Sequence, residues 1–138
     1  MSSERGNLLE IRGLKTYFDV EGQTAKAVDG VDITIRENEV FGRVGEAGSG
    51  KSVTALSILR LIPNPPGWIE AGEIIFQEED LLQLSYPAMR KLRGNDISMI
   101  FQEPMTALNP VFSVGWQLRE AIQHHQGMTK EQANDRAV

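Results

Sequence analysis

The sequence predicts an α/β fold built on a phosphate-binding loop that joins a strand to a helix, with an antiparallel β layer in front of it. Three observations carry that prediction. The residues Gly45-Glu46-Ala47-Gly48-Ser49-Gly50-Lys51-Ser52 spell G-x-x-x-x-G-K-S. A short apolar run, Val40-Phe41-Gly42-Arg43-Val44, precedes that loop, and Val53, Leu56, Leu59 and Ile62 follow it at helical spacing. Two stretches of alternating apolar residues come before both, one over 8–18 with Leu9 and Ile11 and one from Ala27 through Val31, Ile33 and Ile35.

The loop's chemistry explains its composition. A polyphosphate has to be wrapped by backbone N–H groups, and a chain curls that tightly only where glycines accept unusual dihedrals, here Gly45, Gly48 and Gly50. Lys51 can set an ammonium against the β- and γ-phosphate oxygens, and the Ser52 hydroxyl can ligate the Mg²⁺ that bridges them. Val53 continues a helix whose positive end points at the phosphates. Chance produces the eight-residue pattern in roughly one chain of this length in a few hundred, and the strand and helix on its flanks lower that further.

The elements follow in order. The polar run Glu21-Gly22-Gln23-Thr24 is a turn between the first two strands, which pair as an antiparallel hairpin. A hairpin before the loop is unusual for small P-loop kinases, whose loop tends to follow the first strand directly. Glu37-Asn38-Glu39 turns into the next strand, with Asn38 suited to the left-handed conformation. Residues 40–44 are expected to be a strand buried on both faces, which makes Arg43 an anomaly. Replacing it with Ile is expected to raise the melting temperature. Pro63-Asn64-Pro65-Pro66-Gly67 stops the helix, and 70–76 leads into another short strand. Glu78-Glu79-Asp80 is a solvated charge run rather than a metal site, because neighbouring side chains diverge. Residues 87–93 form a short helix with Met89 and Leu92 inward. Residues 96–101 form a buried strand that delivers Gln102 to its C-terminal end, where ligands sit in open α/β sheets. Residues 114–126 are helical, and Thr129 begins another helix. Adjacent His124 and His125 face different directions on a helix and are not read as a metal pair.

Composition excludes several classes. A net charge of −5 with a pI near 5.0 gives no basic footprint for nucleic acid. Zero cysteines exclude disulfides and thiolate metal sites. The first seven residues lack the apolar core of a secretory signal, and no stretch approaches the roughly 18 apolar residues of a membrane span. A cytosolic protein, or one peripheral to a membrane, is expected.

The phosphate loop followed by Gln102, within Phe101-Gln102-Glu103-Pro104-Met105-Thr106-Ala107-Leu108-Asn109-Pro110, resembles the nucleotide-binding subunits of ABC transporters. The Pro-Met-Thr-x-Leu-Asn-Pro wording is similar to the dipeptide, oligopeptide and nickel importer branch, and the resemblance covers essentially the whole chain. It implies a P-loop NTPase of ABC type with an N-terminal antiparallel β subdomain, incomplete at the C-terminus, in which about 110–138 begin the helical subdomain. It implies that Gly45, Glu46, Ala47, Gly48, Ser49, Gly50, Lys51, Ser52 and Val53 hold ATP, and that Ser52 and Gln102 serve Mg²⁺. Gln102 would also sense the γ-phosphate near a membrane subunit. An aromatic ending the first strand would stack on adenine, with Phe18 the better placed and Tyr17 second.

Two departures stand out from the family pattern. Ala47 replaces a serine, and Arg43 replaces an apolar residue. The family's Leu-Ser-Gly-Gly-Gln signature, later aspartate and catalytic glutamate, and switch histidine have no counterpart in the 138 residues. The resemblance therefore implies the first part of a longer subunit that hydrolyses ATP to power peptide import, with the 138 residues alone lacking turnover. Its partners would be membrane permease subunits and a second ATP-binding subunit, at the cytoplasmic face of the cell membrane. A nucleotide-binding module without turnover is the alternative, and a P-loop kinase a more distant one.

Overall fold

A computed structural model of the chain describes residues 6–103 and 107–138. It divides into two compact units, the first ending at Arg90 and the second starting at Lys91. The first unit holds β1 (Asn7–Val20), β2 (Gln23–Arg36), α1 (Lys51–Ile58), β3 (Gly67–Phe76) and the two-residue β4 (Glu79–Asp80), and α2 (Tyr86–Leu92) spans the division in sequence. The strands form one antiparallel sheet in the order β2-β1-β3-β4. The second unit carries α3 (Val114–Gln126) and α4 (Lys130–Ala137).

The hairpin is longer and its turn tighter than the sequence indicates. Val20 pairs with Gln23, so the loop is two residues, Glu21 and Gly22, with φ of 53° and 78°. Positive φ at both positions matches the right-handed twist of the flanking strands. Asp19 Oδ1 accepts the Gly22 N–H at 2.8 Å and closes the turn.

A bulge sets which residues of β1 form the core. Leu9 and Ile11 are buried, and so are Leu14 and Thr16, which strict alternation would put on the other face. The register slips between Ile11 and Leu14, where Gly13 has φ 55°. One extra residue restores the apolar set to the inner face. Across the ladder, a Cβ on Gly72 would lie 2.6 Å from Leu14 Cα, so β3 needs a glycine opposite the bulge. Val28 of β2, Ile74 and Phe76 of β3, and Leu59 just after α1 are also buried.

Two expected strands are not strands. Residues 40–46 carry no ladder, and Val40 and Val44 are 100% and 96% exposed. The expectation assumed neighbours on both sides, and among the described residues none runs beside this stretch. Residues 96–101 fare the same way, with Ile100 95% exposed and a single bridge, Arg93 to Ile97, near their start. The helix after the loop also ends earlier than read: α1 stops at Ile58, and Arg60 turns left-handed at φ 51°. Asn38 takes the left-handed conformation at φ 55°, and Thr129 caps α4 through a capping box with Gln132.

Near the turn, Tyr17 donates its hydroxyl to Asp29 Oδ1 at 2.7 Å, while Lys15 and Lys26 lie 3.6 and 3.5 Å from the same carboxylate. That hydrogen bond, with burial and the charges of Asp29 and Glu70, pushes the Tyr17 phenol up to about 12. The same bond, then Lys26 and Lys15, holds Asp29 below its usual value. The raised phenol contributes stability that is full below its usual 10 and is lost as pH climbs towards about 12. The lowered carboxylate contributes stability that is present above its usual 3.8 and is lost as pH falls below it. Tyr17→Phe is therefore expected to lower the melting temperature at pH 7 by about 2–6 °C. The gap to the parent closes towards both pH extremes in thermal melts; a gap independent of pH would contradict this assignment.

Candidate functional site

The loop of the G-x-x-x-x-G-K-S motif lies wholly in the first unit and is built by backbone conformations that only glycine adopts cheaply. Gly48 and Gly50 have φ of 80° and 79°. The two differ in surroundings. A Cβ on Gly48 meets nothing within 4 Å, whereas one on Gly50 would strike the carbonyl oxygen of Ala27 and lie 3.3 Å from Val28 Cγ2. Gly50 is thus pressed against β2. At the start of the loop, a Cβ on Gly45 would come 2.5 Å from Ser49 Oγ, so the curl closes where side chains would fill it.

Gly50 is also the N-cap of α1. It offers no capping side chain, and the first turn contains no acidic residue. The first N–H groups of the helix, from Lys51, Ser52 and Val53, therefore face the loop with the positive end of the helix dipole and no competing carboxylate. Lys51 Nζ donates to the carbonyls of Gly45 at 2.6 Å and Glu46 at 2.7 Å, and to Ser49 Oγ at 3.2 Å. One ammonium ties the loop's beginning to its end. Ser52 is exposed on the first turn. A ring of backbone donors, one ammonium and a hydroxyl fits a polyphosphate with its divalent cation.

Hydroxyls that the sequence reading passed over hold the helix from below. Thr54 and Ser57 are buried, whereas Val53 and Leu56 of the expected apolar stripe are only half-buried. Thr54 Oγ1 donates to Gly50 O at 2.9 Å, and Ser57 Oγ to Val53 O at 2.7 Å. Because the Ser57 proton is used there, Thr16 of β1 donates to Ser57 Oγ across 2.8 Å. The signal was present as two small hydroxyl residues three apart, a spacing that shares a helix face.

Arg43 has a partner. It is half-buried, and its Nη1 donates to Gly50 O at 3.4 Å. The premise for expecting Arg43→Ile to raise stability, a charge stranded in a doubly buried strand, does not hold.

The two aromatic candidates differ in engagement. Tyr17 is bound to Asp29, with Lys26 Nζ 5.5 Å from its ring centre and Trp68 edge-on at 6.3 Å. Phe18 is half-buried near the end of β1, with its ring against Gly67, its register partner on β3. Gln102 belongs to the second unit and is exposed, and 104–106, which follow it in the expected motif, lie outside the described residues. In that unit His124 and His125 stand perpendicular with centroids 4.9 Å apart. No group of three potential metal ligands occurs among the described residues.

Residues 28–138 match the family model described as "ABC transporter". The chain is 47% identical to the oligopeptide transport ATP-binding protein AppD of Bacillus subtilis, over 95% of its own length and 40% of that protein's. It is 46% identical to OppD, an oligopeptide transport ATP-binding protein of the same organism, over 95% and 37%. The chain thus spans about two fifths of the length of the curated relatives it matches. Among solved structures it superimposes, with a TM-score of 0.80 at 21% identity, on the ATP-binding cassette MJ0796 in a dimeric post-hydrolysis state bound to ADP and Pi. That match covers 94% of this chain and 53% of the other, and it shows the same fold.

The two glycines of the loop should respond differently to one methyl group. Gly48→Ala is expected to cost about 1–2 kcal/mol, the left-handed penalty alone. Gly50→Ala should cost about 3 kcal/mol or more, because the Ala27 carbonyl must also move. Urea unfolding of both variants measures this, and equal costs would show that the loop does not rest on β2.

Proposed function

The chain belongs to the ABC transporter family, and from that premise we propose that residues 45–53 bind the phosphates of ATP. The observation that carries this reading is the Lys51 ammonium, held over the Gly45 and Glu46 carbonyls at the uncapped start of α1. Its present acceptors are neutral. Phosphate oxygens are anionic and make stronger charge-assisted hydrogen bonds, so Lys51 can exchange carbonyls for phosphate while the glycine backbone supplies further donors. Ser52 would hold Mg²⁺, which neutralises developing charge on the phosphates when bound; a Mg²⁺ role for Gln102 is proposed from the family motif alone.

Beyond binding, the proposal extends to the whole protein: ATP hydrolysis by attack of water on the γ-phosphate, coupled to import of peptides. The names of the oligopeptide transport relatives support the cargo class. The dimeric state named for the matched cassette supports pairing with a second ATP-binding subunit. Permease subunits would complete the assembly, with the ATP-binding chain peripheral at the cytoplasmic face. No helix among the described residues is long and apolar enough to cross a membrane, so a spanning partner is part of the proposal. Residues 110–138, with α3 and α4, are proposed as the start of the helical subdomain.

Lys51→Ala is expected to weaken MgATP binding at least about tenfold, roughly 1.4 kcal/mol. Calorimetric titration reads it, and unchanged affinity would sink the phosphate-loop reading. In the same assay Phe18→Ala should cost about 0.5–1.5 kcal/mol, and Tyr17→Ala less. The opposite order would move the adenine contact to Tyr17.

A further inference from the structure

We propose that Arg43 is a positioning residue for the phosphate loop, setting the Gly50–Lys51 peptide from outside the helix. This rests on the reading of 45–53 as the phosphate site. The Gly50 carbonyl receives three donors: the Thr54 N–H at 2.9 Å, Thr54 Oγ1 at 2.9 Å and Arg43 Nη1 at 3.4 Å. In a trans peptide the N–H points opposite to the C=O. Drawing the Gly50 oxygen into the helix therefore aims the Lys51 N–H out of it, into the loop. The same plane fixes the Lys51 Cα from which the ammonium reaches Gly45 and Glu46.

Two of these donors come from Thr54, which moves with the helix. Among the described residues Arg43 alone reaches this oxygen from the chain entering the loop, so it ties the two sides of the loop together. Arg43 borders an apolar cavity of about 190 Å³ lined also by Leu9, Ile11, Ile33, Phe41 and Ile58, between the sheet and α1. An apolar residue at 43 would cover that wall as well, but it would bring no donor to Gly50. Such a residue is what the family resemblance leads one to expect there, so the contact belongs to this chain rather than to the motif.

The test compares Arg43→Met, which keeps an apolar stem, with Arg43→Lys, which restores one donor. Both are titrated with MgADP beside the parent and Lys51→Ala at low and high salt, with thermal melts and the Lys51 amide resonance recorded. Arg43→Met is expected to bind about threefold to tenfold more weakly, the scale of an ordinary hydrogen bond, because the contact is long at 3.4 Å and acts on the phosphate only through the peptide. The weakening persists at high salt, the melting temperature does not fall in proportion, and the Lys51 amide shifts without nucleotide. Arg43→Lys recovers part of the affinity. Parent-like affinity in Arg43→Met overturns the proposal, as does a deficit that vanishes with salt, which marks a distant charge, or one that tracks unfolding. If Lys51→Ala also binds like the parent, the phosphate reading itself has failed; if only Lys51→Ala is weakened, this inference alone falls.

Discussion

The conformation of a single peptide, Gly50 to Lys51, controls the rest of this structure. Gly50 must be left-handed for the loop to curl, and it must lack a Cβ because Ala27 stands against it. Once set, the peptide starts α1, lines up its first N–H groups and places Lys51 over the loop carbonyls. The antiparallel sheet is more than a neighbour to the loop. It supplies the floor on which Gly50 rests and, through Thr16 and Ser57, a buried hydrogen bond that holds the helix in place.

That floor depends on the bulge at Gly13. Without it, Leu14 and Thr16 would sit on the face away from Leu9 and Ile11, and Thr16 could not meet Ser57. Gly72 lies opposite because the bulged backbone leaves no room for a side chain. Two glycines on neighbouring strands thus determine whether a hydroxyl reaches the helix that carries the phosphate site.

Much of this was readable from the sequence, for identifiable reasons. The loop, the hairpin before it and the helix that starts at Thr129 carry strong local signals: glycines at fixed offsets, alternation of period two, and a threonine at the helix start. What was missed depends on neighbours. The runs 40–44 and 96–101 have the apolar composition of buried strands, but a strand exists only beside another, and the described residues place none there. The phase of α1 was misjudged because Val53 and Leu56 look like core, whereas the sheet presents Thr16 and the helix answers with Ser57. Arg43 is an anomaly only in a strand buried on both faces; in the structure the Gly50 carbonyl is within its reach.

The central claim is that 45–53 form a phosphate site seated on β2. An amide-by-amide NMR titration of the isotopically labelled chain with MgADP addresses it directly. The account predicts the largest shifts at 45–53 and a second set at Ala27 and Val28, where Gly50 rests. Shifts concentrated elsewhere, with the loop amides unmoved, would contradict it.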